Sequence, residues 1–206
     1  MKLYDVKPAP NPRRVRIFLA EKGLEIPLVP VDMMALEQRS PAFRQKNPSG
    51  KVPVLELDDG TCIGESIAIC RCLEAMHPEP NLFGESPAEL GRIEMFTRII
   101  ELELMSQVGA AWVNGPIVAQ MAPGRFTQIP EAKTLGEKNA RSFYKRLNGE
   151  LETRDYIAGD RFTIADIAAV TTIDFAGERV ALKPDSDLTA LWRWHARIAS
   201  RPSYDA

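Results

Sequence analysis

Over residues 2–76 the apolar positions change period several times, whereas beyond residue 87 the pattern is almost wholly helical. KLYDV at 2–6 fits a short strand. From Pro12 to Lys22 the period lengthens, and Val15, Phe18 and Leu19 fall on one face of a helix. Asn11 suits its N-cap, Pro12 its first position and Gly23 its stop. IPLVPVD at 26–32 predicts a second strand. Its two prolines cannot donate to a ladder, which places it at a sheet edge. A short helix over Pro41–Gln45 follows. VPVLEL, the turn DDG and then TCI read as a hairpin, and a helix starts after Ser66 and runs to Met76. The order is βαβ, then ββα.

In the second part, Leu90, Ile93, Phe96 and Ile100 predict a long helix over 87–112, stopped by NGP at 114–116. Residues 116–130, rich in Pro and Gly, predict a loop or broken helix. Further helices are expected over 131–153, from Thr163, and over 187–200. PEPNLFGESP at 78–87 reads as a join. The expected organisation is an α+β domain over 1–78, a linker over 79–87 and an all-helical domain over 88–206.

Composition narrows the function little. An apolar fraction of 45% and a charged fraction of 26% are those of an ordinary soluble chain. A net charge of −2 provides no global field for nucleic acid or an acidic membrane. No apolar run approaches the ~20 residues of a membrane span, and the N-terminus has no signal-like apolar stretch. Three cysteines make no secreted disulfide framework, and two histidines argue against a metal site. These signals point to the cytoplasm.

The chemistry lies in NPSGKVPVLELDDGTCIGESIAICRCL, residues 47–73. A cis bond between Val52 and Pro53 would turn the Val52 N–H and C=O sideways, ready to pair with an extended peptide. Ser66 is placed to cap the next helix, whose free N–H groups suit a carboxylate. Glu65 beside it suits an ammonium group. Taken singly, a Ser before a helix is a cap and Lys51 a solvated charge. In order, and after a βαβ unit, they describe a site for a small peptide with both a carboxylate and an amine.

These segments resemble the glutathione transferases. The resemblance lies in GKVPVLELDDG…IGESIAICRCL, in MKLYDVKPAPNPRRVRIFLAEKG and in YIAGDRFTIADIAAV, and it covers nearly the whole chain. It implies a thioredoxin-like N-terminal domain, an all-helical C-terminal domain, a homodimer, and glutathione as cosubstrate. By position, Val52 resembles the residue whose backbone pairs with the cysteinyl unit, and Pro53 the cis proline. Glu65 and Ser66 resemble the pair that holds the γ-glutamyl group, and Lys51 and Gln38 residues that hold the glycine end. FTIADIA also has a purely structural reading. Thr163 and Asp166 form a capping box, with Phe162 and Ile167 as its hydrophobic staple, worth about 1 kcal/mol at the cap.

One position departs from the resemblance. The turn KPAPNP at 7–12 has Ala9 where serine-type members carry the hydroxyl that donates to the glutathione sulfur. A thiol of pKa ~8.5 is only a few per cent thiolate at pH 7, so a donor is needed. Asn11 is the candidate, its oxygen capping the helix and its NH₂ donating to the thiolate. The positive end of the helix dipole, and Arg13, Arg14 and Arg16 as largely solvated charges, would help. An apolar or electrophilic second substrate is expected between this turn and the long helix, with Met105, Trp112 and Phe126 as walls. The leading function is glutathione-dependent transfer to an electrophile, with detoxification as its setting. The alternatives are glutathione-dependent disulfide reduction or peroxide reduction, and a non-catalytic binding or scaffold role.

Overall fold

Two compact units form the computed structural model, which describes residues 1–206: Met1–Phe83 together with Pro202–Ala206, and Gly84–Arg201. The first is built on a sheet of order β2-β1-β3-β4, made of β1 (Lys2–Asp5), β2 (Leu28–Pro30), β3 (Val54–Glu56) and β4 (Cys62–Gly64). β2 runs parallel to β1 and sits at the edge, in keeping with Pro30, which cannot donate to a ladder. β3 runs antiparallel to both β1 and β4, so VPVLEL and TCI do form the hairpin.

Alternation along β1 distributes the core to two faces. Tyr4 pairs with Val54, and with Val31 and Phe43 they form one cluster. Phe43 comes from α2 (Pro41–Lys46), and its ring meets Tyr4 edge-on at 5.8 Å. Leu3 pairs with Leu55 on the opposite face, where α1 (Pro10–Glu21) and α3 (Ser66–Met76) pack together. Phe18, Ile69 and Leu73 are fully buried there, each worth ~1.5–3 kcal/mol of transfer from water.

α1 begins two residues earlier than the sequence suggests. Ala9 is the N-cap, in extended conformation, and Pro10 rather than Pro12 takes the first helical position. The reason is that Pro10 already has a helical φ and its missing N–H leaves no gap in the ladder there. Asn11 therefore lies inside the first turn and does not cap it. At the other end Gly23, at φ 63°, closes the helix as expected, with the Leu24 N–H on the Leu19 carbonyl. Lys22, its side chain wholly buried, pairs with Glu74 at 2.5 Å and donates to the carbonyls of His77 and Pro80, which ties the segment after α3 to α1.

The second unit is helical. The long helix is three segments in series: α4 (Pro87–Ile99), a wider π-helical stretch over Ile100–Met105, and α5 (Ser106–Val113). Its buried stripe is Ile93, Thr97, Ile100, Leu104, Val108 and Ala111, while Leu90 is 41% exposed rather than core. Only one buried spacing, the four from Ile100 to Leu104, falls within the π stretch, and a spacing of four fits both helix types, so periodicity alone does not reveal it. α6 (Pro116–Met121) is a short helix within the Pro- and Gly-rich stretch. α7 (Pro130–Leu151) packs tightly on α5, and a Cβ at Gly136 would stand 2.6 Å from the Gln107 carbonyl oxygen, so only glycine fits. α8 (Ile164–Arg179) is the core helix, and α9 (Thr189–Ala199) follows it.

The box at α8 forms in full. The Asp166 carboxylate accepts from the N–H groups of Thr163 and Ile157, both at 2.9 Å, and from the Trp194 indole at 2.8 Å. Burial pushes this carboxyl up to about 6, against the pull of those hydrogen bonds. Phe162 and Ile167 are both buried, as a staple requires.

Candidate active site

Strand order and direction bring three loops to one end of the sheet. The turn after β1, the residues before β3 and those after β4 all lie at the end marked by Tyr4, Val54 and Gly64, which are register partners in series. KPAPNP, Val52–Pro53 and Glu65–Ser66, separated by up to 59 positions of sequence, thus converge, and Val6 and Val52 pack against the same Tyr4 cluster. The Val52–Pro53 peptide bond is cis. Pro53 is buried and Val52 half-buried.

Glu65 is exposed and has φ 64° and ψ 117°, a region that a residue with a Cβ rarely adopts. It is the N-cap of α3, without a capping bond from its side chain. Ser66 is therefore not the cap. It is the first helical residue, 4% exposed, and its Oγ accepts from Arg14 Nη1 at 2.9 Å. The strain at Glu65 persists because both its neighbours are fixed, Gly64 by the β3 ladder and Ser66 by Arg14.

In the turn itself, the Ala9 N–H bonds the Val6 carbonyl, and the Ala9 carbonyl accepts from the Arg13 N–H at 3.2 Å. Pro10 and Pro12 have no N–H. That leaves the Asn11 N–H as the one backbone donor at this end of α1, beside the half-buried Asn11 amide. The three arginines are not the solvated charges expected from sequence. Arg14 and Arg16 are 1% and 8% exposed, and all three are committed within the unit. Arg13 donates to the Tyr204 carbonyl at 2.9 Å and stacks on its ring. Arg16 pairs with Asp5 at 2.5 Å and donates to the Lys7 carbonyl at 2.9 Å, bracing both limbs of the turn. A helical pattern reports only which face each arginine occupies. Their partners come from β1, α3 and the C-terminal turn, which sequence proximity does not reveal.

Gln38 is buried in a 3-10 turn, and its backbone lies against Gly50, where a Cβ would meet the Gln38 carbonyl oxygen at 2.8 Å. Gly50, at φ 62°, permits this approach and leads into the exposed Lys51. Asn47 is a residue that the sequence reading missed. Its Nδ2 donates to the Lys51 carbonyl at 2.8 Å, its Oδ1 accepts from the Ser49 N–H, and its amide faces Gly64. It joins the approach to Pro53 to the end of β4. The signal was present as the Asn-Pro dipeptide, which starts turns of this kind.

The three proposed wall residues all belong to the second unit, and Met105 and Trp112 both contact α8. Met105 Sδ accepts from Thr172 Oγ1 at 3.8 Å. Trp112 meets Phe175 edge-on at 5.3 Å and lines a cavity of about 160 Å³ with Gly115, Ile117 and Val180, which neither Met105 nor Phe126 borders. Phe126 is 40% exposed after α6.

Comparison with known proteins gives a consistent picture. The model of the glutathione S-transferase N-terminal domain matches residues 9–76, and that of the glutathione S-transferase C-terminal domain matches residues 117–202. Glutathione S-transferase 2 of Saccharomyces cerevisiae is 37% identical, over 98% of this chain and 87% of its own length. A glutathione S-transferase domain-containing protein of Marinobacter aquaeolei superposes with a TM-score of 0.91 at 42% identity, covering 99% of this chain and all of the other. The crystal structure of Gtt2 from Saccharomyces cerevisiae gives 0.90 at 36% identity, over 99% and 98%. No helix is long and apolar enough to cross a membrane.

Proposed function

The chain belongs to the glutathione S-transferase family, and on that premise we infer that it is a glutathione-dependent transferase whose thiolate donor is Asn11 rather than a hydroxyl. Glutathione lies across the end of the N-terminal sheet. The Val52 backbone pairs with its cysteinyl unit, beside Pro53. Ser66 and the N–H groups opening α3 hold the γ-glutamyl carboxylate, and Glu65 holds the γ-glutamyl ammonium. Lys51 and Gln38 take the glycine carboxylate.

The observation that carries this reading is the Asn11 N–H, the one backbone donor at the start of α1, next to a side-chain amide freed from capping. With the helix dipole behind it, it opens α1 at the same end of the sheet as Val52, where the backbone of a cysteinyl unit would pair. The bound thiol loses its proton to solvent. The thiolate then forms a carbon–sulfur bond with an electrophile, whose leaving group departs with its electron pair. The full-length likeness to a protein named as a transferase favours this chemistry over disulfide or peroxide reduction and over a scaffold role. A cytoplasmic homodimer serving detoxification completes the proposal, and three free cysteines accord with a reducing compartment.

Two measurements test it. Glutathione binding by calorimetry should be saturable at millimolar concentration, and an aryl halide should be conjugated at a rate that follows thiolate formation. Absence of binding would refute the site. Binding with turnover of hydroperoxides or mixed disulfides, but not of aryl halides, would refute the reaction.

A further inference from the structure

We propose that Arg14 is a positioning residue for the carboxylate end of glutathione, acting through the Ser66 hydroxyl. The inference rests on the reading above that Ser66 holds the γ-glutamyl carboxylate.

Arg14 lies one turn into α1 and is 1% exposed. Its Nη1 donates to Ser66 Oγ at 2.9 Å, and Ser66 is itself 4% exposed at the start of α3. A guanidinium has donors only, so this bond uses an oxygen lone pair. The hydroxyl has one proton, and the contact with Arg14 turns it away from the guanidinium. The proton is left for an acceptor on the open side, beside Glu65. A serine hydroxyl at a helix start otherwise turns its oxygen lone pairs toward the backbone N–H groups of its own first turn, and its proton has no fixed direction. Here the oxygen is held from the α1 side, and α3 has no side-chain capping bond at all.

The charge matters as well as the direction. Arg14 stays protonated at every working pH, and its field acts through a buried, weakly screened path. A carboxylate accepting from Ser66 Oγ is therefore separated from a full positive charge by one hydroxyl. Because α1 also presents Asn11 to the thiol turn, one helix serves both ends of the ligand. Asn11 acts at its first turn and Arg14 acts through α3.

The test compares calorimetric affinities for glutathione and for its analogue lacking the γ-glutamyl α-carboxylate. Wild type should prefer glutathione. Arg14→Met should lose about tenfold or more in affinity for glutathione, the size of a lost charge-assisted hydrogen bond, with little change for the analogue. Ser66→Ala should lose the same preference, and the double variant should be no worse than either single one. Arg14→Lys, which keeps a charge and a donor and serves if Arg14→Met does not fold, should retain part of the preference. If folded Arg14→Met or Arg14→Lys keeps the full wild-type preference, or loses affinity for both ligands alike, Arg14 is merely structural. If wild type itself does not distinguish the two ligands, the assignment of Ser66 fails and the inference falls with it. If wild type distinguishes them and the arginine variants do so equally, only the inference falls.

Discussion

Replacing Asn11 by proline removes both of its donors, the backbone N–H at the second position of α1 and the side-chain amide. The substitution suits the local structure. That N–H lies outside the intrahelical ladder, and Ala9 and Asn11 already precede prolines within the same turn. With Pro10 and Pro12 on either side and the Arg13 N–H bonded to the Ala9 carbonyl at 3.2 Å, the start of α1 would keep no free backbone donor. A hydrogen bond to a charged group is worth about 1.5–3 kcal/mol, or about 1–2 pKa units on the thiol. From an ordinary ~8.5, the bound glutathione thiol is then expected at ~6.5–7.5 in the wild type and back near ~8.5 in Asn11→Pro. Asn11→Ala keeps the N–H and removes the amide, so it separates the two donors. The assay is ultraviolet titration of the bound thiolate, paired with the pH profile of aryl-halide conjugation. Asn11→Pro should lose about tenfold or more of its rate near pH 6.5 and recover it above pH 9, where both enzymes carry thiolate. An unchanged thiol pKa in both variants would refute the role of Asn11 and leave the helix dipole alone as the stabilising field.

Two further outcomes follow from ion pairs in the first unit. Arg16→Met strips the counter-charge from Asp5, whose side chain is 9% exposed, and releases the Lys7 carbonyl. Breaking a buried pair of this kind costs about 3–5 kcal/mol, so thermal unfolding should move down by many degrees, and an unshifted midpoint would contradict the bracing role. Glu56 accepts from Lys46, Tyr4 and Lys2, and those bonds hold its carboxyl down at about 2, below its ordinary 4.5. A depressed folded-state value means that its stabilisation is complete above pH 4.5 and is lost as the pH falls toward 2. Glu56→Gln should therefore flatten the acid limb of the stability profile between those values. A profile of unchanged steepness would count against the cluster.

Local patterns made much of this molecule readable. The hairpin around DDG, the stop at Gly23, the edge position of β2 and the box at Thr163–Asp166 each depend on residues within a few positions of one another. The same locality explains the errors. Three prolines in KPAPNP allow more than one helix start, and the choice of Pro10 over Pro12 settled the position of Asn11. The spacing of four from Ile100 to Leu104 hid the π stretch. RRVR reads as surface charge until β1, α3 and the C-terminal turn supply its partners.

By itself the sequence determined the two-part architecture, the element order and the residues that converge on the N-terminal sheet end. These follow from periodicity, turn chemistry and motif order, all carried by short stretches of chain. Only the tertiary structure decided what Asn11 and Ser66 are free to do. Both stand at helix starts and read as caps, but a cap depends on where the helix begins and on what else reaches the oxygen. Pro10 moved one helix start, and Arg14, fifty-two positions away from Ser66, took the other oxygen. Side-chain partners at that separation are set by packing, which no local pattern encodes.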